Sequence, residues 1–292
     1  MTVAQQRLLL MACVWLLGLT NAAVLNLGSA STYAVIAYSS VTNSGPTTIN
    51  GDVAISPGTS LAGFPPGVIN GNLHETDTDA ASALSDANNA YSNSHAQACT
   101  QVLVPDLGGL TLAPGVYCWT TPNVQLTAGA GTLTLNGPAE AVWVFQINGV
   151  FTVGASANVV MSGGASACNV IWTVSSLTVG ANAALQGNVL AQADIAMGTG
   201  TTLTGRLVSS TASVTLASND ITLPNCPTTS TSSSVSCSPS CFLCDSSNLA
   251  ICAASVTSSA VSIHDISLVW GLLGLTMAVL TGLVVKESYD RS

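Results

Sequence analysis

Four places in this sequence hold side chains whose types and spacing could do chemistry. "HETD", His74–Asp77, sets an imidazole beside carboxylates and could suggest a metal site. "CSPSCFLCDSSNLAIC", Cys237–Cys252, gathers four thiols. Asp52 in "NGDV" and Arg206 in "TGRL" are lone charges in low-charge surroundings. The fourth is a repeated triplet. "VFTVGAS" stands at Val150–Ser156 and "SLTVGAN" at Ser176–Asn182, with weaker echoes in "IAMGTG" from Ile195 and "VTLAS" from Val214.

The first three have simpler readings than catalysis. "HETD" precedes a helical stretch, where capping or solvation accounts for it. The cysteine cluster lacks histidine, and an exported chain oxidises its thiols. Arg206 is the sole basic residue between two long hydrophobic segments, against eleven carboxylates. It is expected to be partly buried and paired, with Asp52 one candidate partner. His95 reads as a surface residue of the helix, and Gly58, Gly115 and Gly205 as turn glycines. Parallel β-helix enzymes that cleave polysaccharides need clustered carboxylates, calcium ligands or a basic residue at a cleft. The triplet face carries only Asp194, so no catalysis, metal or cofactor is expected.

Composition narrows the classes further. Charged residues make up 6% of the 292, and Lys and Arg together number four. So few cations cannot neutralise a phosphate backbone, which argues against nucleic acid as a partner. "MTVAQQRLLLMACVWLLGLTNAA" has one Arg, an apolar run and small residues, the pattern of a signal peptide over 1–22. "ISLVWGLLGLTMAVLTGLVV", 266–285, is uncharged and long enough to span a bilayer. Lys286 and Arg291 follow it, so positive-inside bias puts 286–292 in the cytoplasm and the rest outside. A lipid-anchor signal is the rival reading, but such signals usually end in their hydrophobic tail. Eight cysteines lie beyond the signal, an even count that argues for disulfides. Their pairing is not legible; Cys99–Cys118, if formed, would tie the end of the helix to the start of the strand-rich region. Residues 227–265 read as a Ser/Thr- and Cys-rich stalk, with no N-glycosylation sequon anywhere in the chain.

These residues must be positioned by two kinds of element. Thr76–Cys99 has no Gly or Pro, and Ala80, Leu84, Ala87, Tyr91, Ser94 and Ala98 recur at helical steps. Its apolar stripe is narrow and small, so the helix is expected close against a flat neighbour. From Val124 to Leu223 the pattern is short strands between Gly, Asn and Ser turns. The triplet centres Gln125, Thr152, Thr178, Ala196 and Thr215 are separated by 27, 26, 18 and 19 residues. Repeats of that size mark a solenoid, in which stacked coils share one core.

In each triplet the flanking residues point in and the centre points out. Stacking then aligns Gln125, Thr152, Thr178, Ala196 and Thr215 on one outer face. A second row two residues earlier holds Asn123, Val150, Ser176, Asp194 and Ser213, and a third holds Thr127, Gly154, Gly180, Gly198 and Ala217. Coils about 4.8 Å apart and outward residues about 6.7 Å apart approach repeats of the ice lattice. Thr offers a methyl and a hydroxyl in a stiff rotamer, able to order water where a long charged side chain would disrupt it. Exposed Thr also suits any β-sheet, so the rows alone leave a plain structural reading open.

The chain resembles the microbial ice-binding proteins built as a discontinuous β-solenoid with one long flanking helix. The resemblance rests on blocks in the family's order over roughly Leu27–Cys226, among them "LGSASTYAVIAYSSVTNSG", "INGDVAISPG", "DAASALSDANNAY", "LGGLTLAPGVYCW", "AVWVFQI" and "VTLASNDITLPNC". It implies a mainly β fold: a right-handed parallel β-solenoid of triangular section over 23–226. The long α-helix (about 76–99) packs alongside, and N-terminal strands stack against the C-terminal coils. It implies ice binding without a cofactor, with the ice crystal surface as partner. Carried onto this sequence, the face is Gln125, Thr127, Thr152, Ser176, Thr178, Ala196, Ser213 and Thr215; Gln125 and Asp194 depart from its small-residue character. The expected protein is a monomer on the outer face of the cell membrane, held by its C-terminal helix or released into the medium. The alternative is a non-ice adhesion or structural module on the same scaffold.

Overall fold

The computed structural model describes residues 25–129 and 131–226. The readings on 1–22, on the stalk with its four cysteines, and on 266–292 lie outside these residues. Among the described residues no helix is long and apolar enough to cross a membrane.

Strands dominate, and every strand pair is parallel, in one sheet of fifteen strands and one of seven. One coil shows how they arise. Val150–Val153 lies on the seven-stranded sheet, Asn158–Ser162 on a second face and Val170–Val174 on a third; Ser176–Val179 then returns to the first. The drop in repeat length from about 26 to 18 residues has a local cause. In the two shorter coils the second and third faces are served by single eight-residue strands, Ala184–Ala191 and Thr202–Ser209. These strands bend where Gly187, at φ +108°, pairs with Gly205, and a Cβ on Gly205 would overlap the Gly187 carbonyl.

The solenoid is discontinuous. Tyr33–Ala37 pairs with Thr202–Ser209, Thr48–Asn50 with Asp220–Thr222, and Ser40–Ser44 with Ser213–Ala217. N-terminal strands thus continue the stack where the C-terminal coils stop, as the resemblance implied. The inward residues form one core, in which rings from successive coils stack. Phe145 and Trp172, on neighbouring coils, have centroids 3.9 Å apart, and Phe151, in the same coil as Trp172, sits 4.9 Å from it. The third face is covered by the one α-helix among the described residues. The helix runs Thr78–His95, shorter at both ends than the expected 76–99. Asp77 ends it by accepting the Ala80 N–H at 2.7 Å, and this bond, followed by the His74 contact, holds its carboxyl below the usual range. Ala80, Ala83, Ala87 and Ala90 are buried against Val116, Val144, Ile171 and Val208, and their small size permits the close approach. Leu84 and Ser94 are buried too, while Ala98 lies exposed beyond the helix end.

Two disulfides form among the described residues: Cys99–Cys118 ties the segment after the helix to the strand Gly115–Cys118, and Cys168–Cys226 holds the last described residue. Two expectations fail. Arg206 is buried, but its partner is not Asp52. Its guanidinium donates to Asn188 Oδ1 and to the Ser31 carbonyl, both at 2.6 Å, and desolvation lowers its pKa to about 10. Asn188 in turn donates to the Cys168 and Val170 carbonyls, so neutral oxygens fixed by the coil stack replace the expected carboxylate. His95 is half-buried rather than a free surface residue: its Nδ1 lies 2.9 Å from Thr173 Oγ1, and its ring stacks on Tyr91.

Candidate functional site

Among the described residues the seven-stranded sheet runs separately from the fifteen-stranded sheet, which holds the helix-covered face. Its strand order is Val124–Leu126, Val150–Val153, Ser176–Val179, Ile195–Met197, Ser213–Ala217, Ser40–Ser44 and Ser60–Ala62. The pairing register places Gln125 beside Thr152, Thr178, Ala196 and Thr215 in turn. The expected central row therefore exists. The inward flanks Phe151, Val153, Leu177, Val179, Ile195, Met197, Val214 and Leu216 are all buried, while every central-row residue is exposed or half-exposed. Ser176 and Ser213 lie on the adjacent row, each half-buried, and Thr127 is exposed just past its strand.

The glycine after most triplets also has a reason. A Cβ on Gly154, Gly180 or Gly198 would run into the backbone of the preceding coil. The chain turns off the face there, and Ser156, Asn182 and Ser218 take left-handed conformations just beyond, with φ between +51° and +60°. The chain therefore leaves the face by a tight turn at corresponding places in these coils.

The face extends further than the triplets suggested, at both ends. Thr42 pairs with Thr215, and Ala62 with Thr42, adding two small residues to the central row; Ser40 and Ser60 continue the row of Ser213. Thr42 Oγ1 donates to Thr215 Oγ1 at 3.3 Å across the seam between the two chain segments. At the other end Asp106 forms a bridge to Gln125, with the Gln125 N–H donating to the Pro105 carbonyl and the Leu107 N–H to the Gln125 carbonyl. This corrects the expectation that Asp194 is the only carboxylate on the face. Asp106 occupies an eighth position of the central row itself.

The hydroxyls of the face are not equally free. Thr127 Oγ1 donates to Asp106 Oδ2, Gln125 Nε2 donates to the same oxygen at 3.2 Å, and the Gly108 N–H donates to Oδ1 at 2.9 Å. The Thr127 hydroxyl foremost, then the Gly108 N–H, holds the Asp106 carboxyl below the usual carboxylate range. Ser213 Oγ donates to Asp194 Oδ1 at 2.7 Å. Thr152, Ser176 and Thr178 direct no side-chain hydrogen bond to any described residue. Between Thr152 and Ala62 the central row is free of charge over six rungs, a length of about 24 Å at the spacing of paired strands. Among the described residues no cluster of His, Cys, Asp or Glu could hold a metal, and His74 instead lies 2.8 Å from the helix-capping Asp77.

A stacked parallel solenoid with a helix on one face and an exposed, mostly small-residue row on another defines the class of protein. Residues 35–222 match the family model described as Ice-binding-like, and the chain belongs to that family. It is 37% identical over 205 residues to an ice-binding protein of Nostoc sp. (strain HG1), covering 68% of this chain and 74% of that protein. With an ice-binding protein of Flavobacterium frigoris (strain PS1) the identity is 32% over 218 residues, covering 69% of this chain and 77% of that protein. The crystal structure of an ice-binding protein from the Antarctic ascomycete Antarctomyces psychrotrophicus superposes with a TM-score of 0.66 at 41% identity, over 70% of this chain and all of that one. One from an Antarctic biological consortium gives 0.68 at 40% identity, over 70% and 93%.

Proposed function

We propose that this protein binds ice through the seven-stranded face and slows the growth and recrystallisation of ice crystals. The observation that carries this reading is the charge-free central row, held in parallel register from Thr152 to Ala62. Methyls along it favour cage-like water, while free hydroxyls such as those of Thr152 and Thr178 anchor that water at fixed intervals. Water ordered in this way merges with an ice plane, and the pinned crystal front between adsorbed molecules curves and stalls. The action is adsorption, with no bond made or broken and no cofactor. The protein acts as a monomer outside the cell, anchored by the segment 266–285 or released by cleavage in the stalk. Anchored copies protect the cell boundary or hold the cell to ice.

The test compares recrystallisation inhibition by the wild-type protein, by Thr178→Tyr and by Val160→Tyr. Val160 is 43% exposed on a neighbouring face, so it controls for a new surface ring. Activity should fall steeply in Thr178→Tyr alone, with the circular dichroism of all three unchanged. Equal loss in both variants, or in neither, would move the site off this face.

A further inference from the structure

We infer that Asp106 sets the end of the ice-contacting field, so that the working face begins beyond Gln125 and extends toward the N-terminal strands. This rests on the ice-binding reading above and deepens it. Asp106 is in line with the central row, bridged to Gln125, and its half-buried carboxylate has no cationic partner among the described residues, whose ion pairs all involve His74. An ice front offers no counter-ion either. Advancing ice over this position would strip the carboxylate of liquid water and leave its charge uncompensated, which is unfavourable. The same carboxylate removes its neighbours from use. It accepts hydrogen bonds from the Thr127 hydroxyl and the Gln125 side-chain amide, and also from the Thr127 N–H at 3.3 Å.

The opposite end of the row has a different character. Thr42 and Ala62 carry no charge, and the hydrogen bond between Thr42 and Thr215 joins two neutral hydroxyls. Asp194 differs from Asp106 in place: it lies in the row beside the central one, tied to Ser213, and so bounds the field along one side and not across its end. The face thus has a polarity that the family's overall shape does not require. One end is closed by a carboxylate, and the other ends at the uncharged Ala62.

The experiment is a gain of activity in the full chain. Asp106→Asn keeps an acceptor for the Gly108 and Thr127 N–H groups and removes the charge. It should lower the concentration needed to inhibit recrystallisation severalfold, whereas Asp106→Glu should leave that concentration at the wild-type value. Asp106→Ser, also uncharged and smaller, covers the case in which the Asn variant folds poorly. Uncharged variants that melt like wild type yet show equal or weaker activity would overturn the inference while leaving the ice-binding reading intact. A wild-type protein without activity would overturn both.

Discussion

Phe151 lies directly beneath the proposed face and permits a test that separates stability from function. Its ring is fully buried, one residue before the outward Thr152, and it stacks on Trp172 at 4.9 Å and 14°. Val124 and Leu177 flank it in register on the strands to either side. Phe151→Ala removes the ring from a site whose walls are strands held apart by backbone hydrogen bonds, so collapse into the space is limited. Such a truncation costs about 3–5 kcal/mol. For a domain of this size each kcal/mol lowers the melting temperature by about 2–4 °C, so the midpoint should fall by roughly 6–20 °C. The assay is a melt followed by circular dichroism and repeated by calorimetry. Thr152 keeps its place because its strand is paired on both sides, so inhibition of recrystallisation near 0 °C should persist. A fall of under about 3 °C would refute the view that stacked rings carry the coil core. Loss of activity in a variant still folded at 0 °C would refute the view that strand pairing alone keeps the face level.

The other predictions concern what holds the domain. Cys168–Cys226 closes a separation of 58 residues and Cys99–Cys118 one of 19; chain-entropy reasoning gives about 4 and about 3 kcal/mol. Paired Cys→Ser variants should therefore melt in that order, the 168/226 pair lowest, as read by denaturant titration. Gly205→Ala should fail to give a soluble folded protein, since the added methyl meets the Gly187 carbonyl in a strand fixed on both sides. Acid should destabilise the domain. The Ala80 N–H holds the Asp77 carboxyl low, and Ser29, through its hydroxyl and then its N–H, holds Asp86 low. A depressed carboxyl stabilises the fold above its unfolded value and loses that contribution as the pH falls through its folded one. The melting temperature should thus stay level from neutrality to about pH 5 and fall below about pH 4. Asp86→Asn should soften that fall.

What could be read in the sequence followed from periodicity. Phe151, Val153, Leu177 and Val179 alternate with threonines, so the inward and outward sides of those strands were legible without a structure. The helix was legible for the same reason, at its own period, though its ends were set by the Asp77 cap and not by the stripe. Thr42 was missed because its triplet is broken. Asn43 stands where an apolar residue would, and it points its amide at the Gly45 and Gly63 carbonyls, both at 2.8 Å. Asp106 was missed because its rung is a single bridged residue between Pro105 and Leu107, too short for any pattern. The Arg206 partners were invisible because Asn188 and Ser31 meet it only through stacking of distant coils. Local alternation survives in sequence; contacts made across the stack do not.

The central claim is adsorption to ice, and the most direct measurement is uptake into ice. Fluorescently labelled protein, with Thr178→Tyr beside it, would be offered to a slowly growing ice hemisphere at low concentration. The account predicts that the wild-type protein is overgrown and retained in the ice at concentrations well above those of a co-dissolved inert protein, while Thr178→Tyr is left in the liquid. Exclusion of the wild-type protein with the inert one, in a sample shown to be folded, would contradict it.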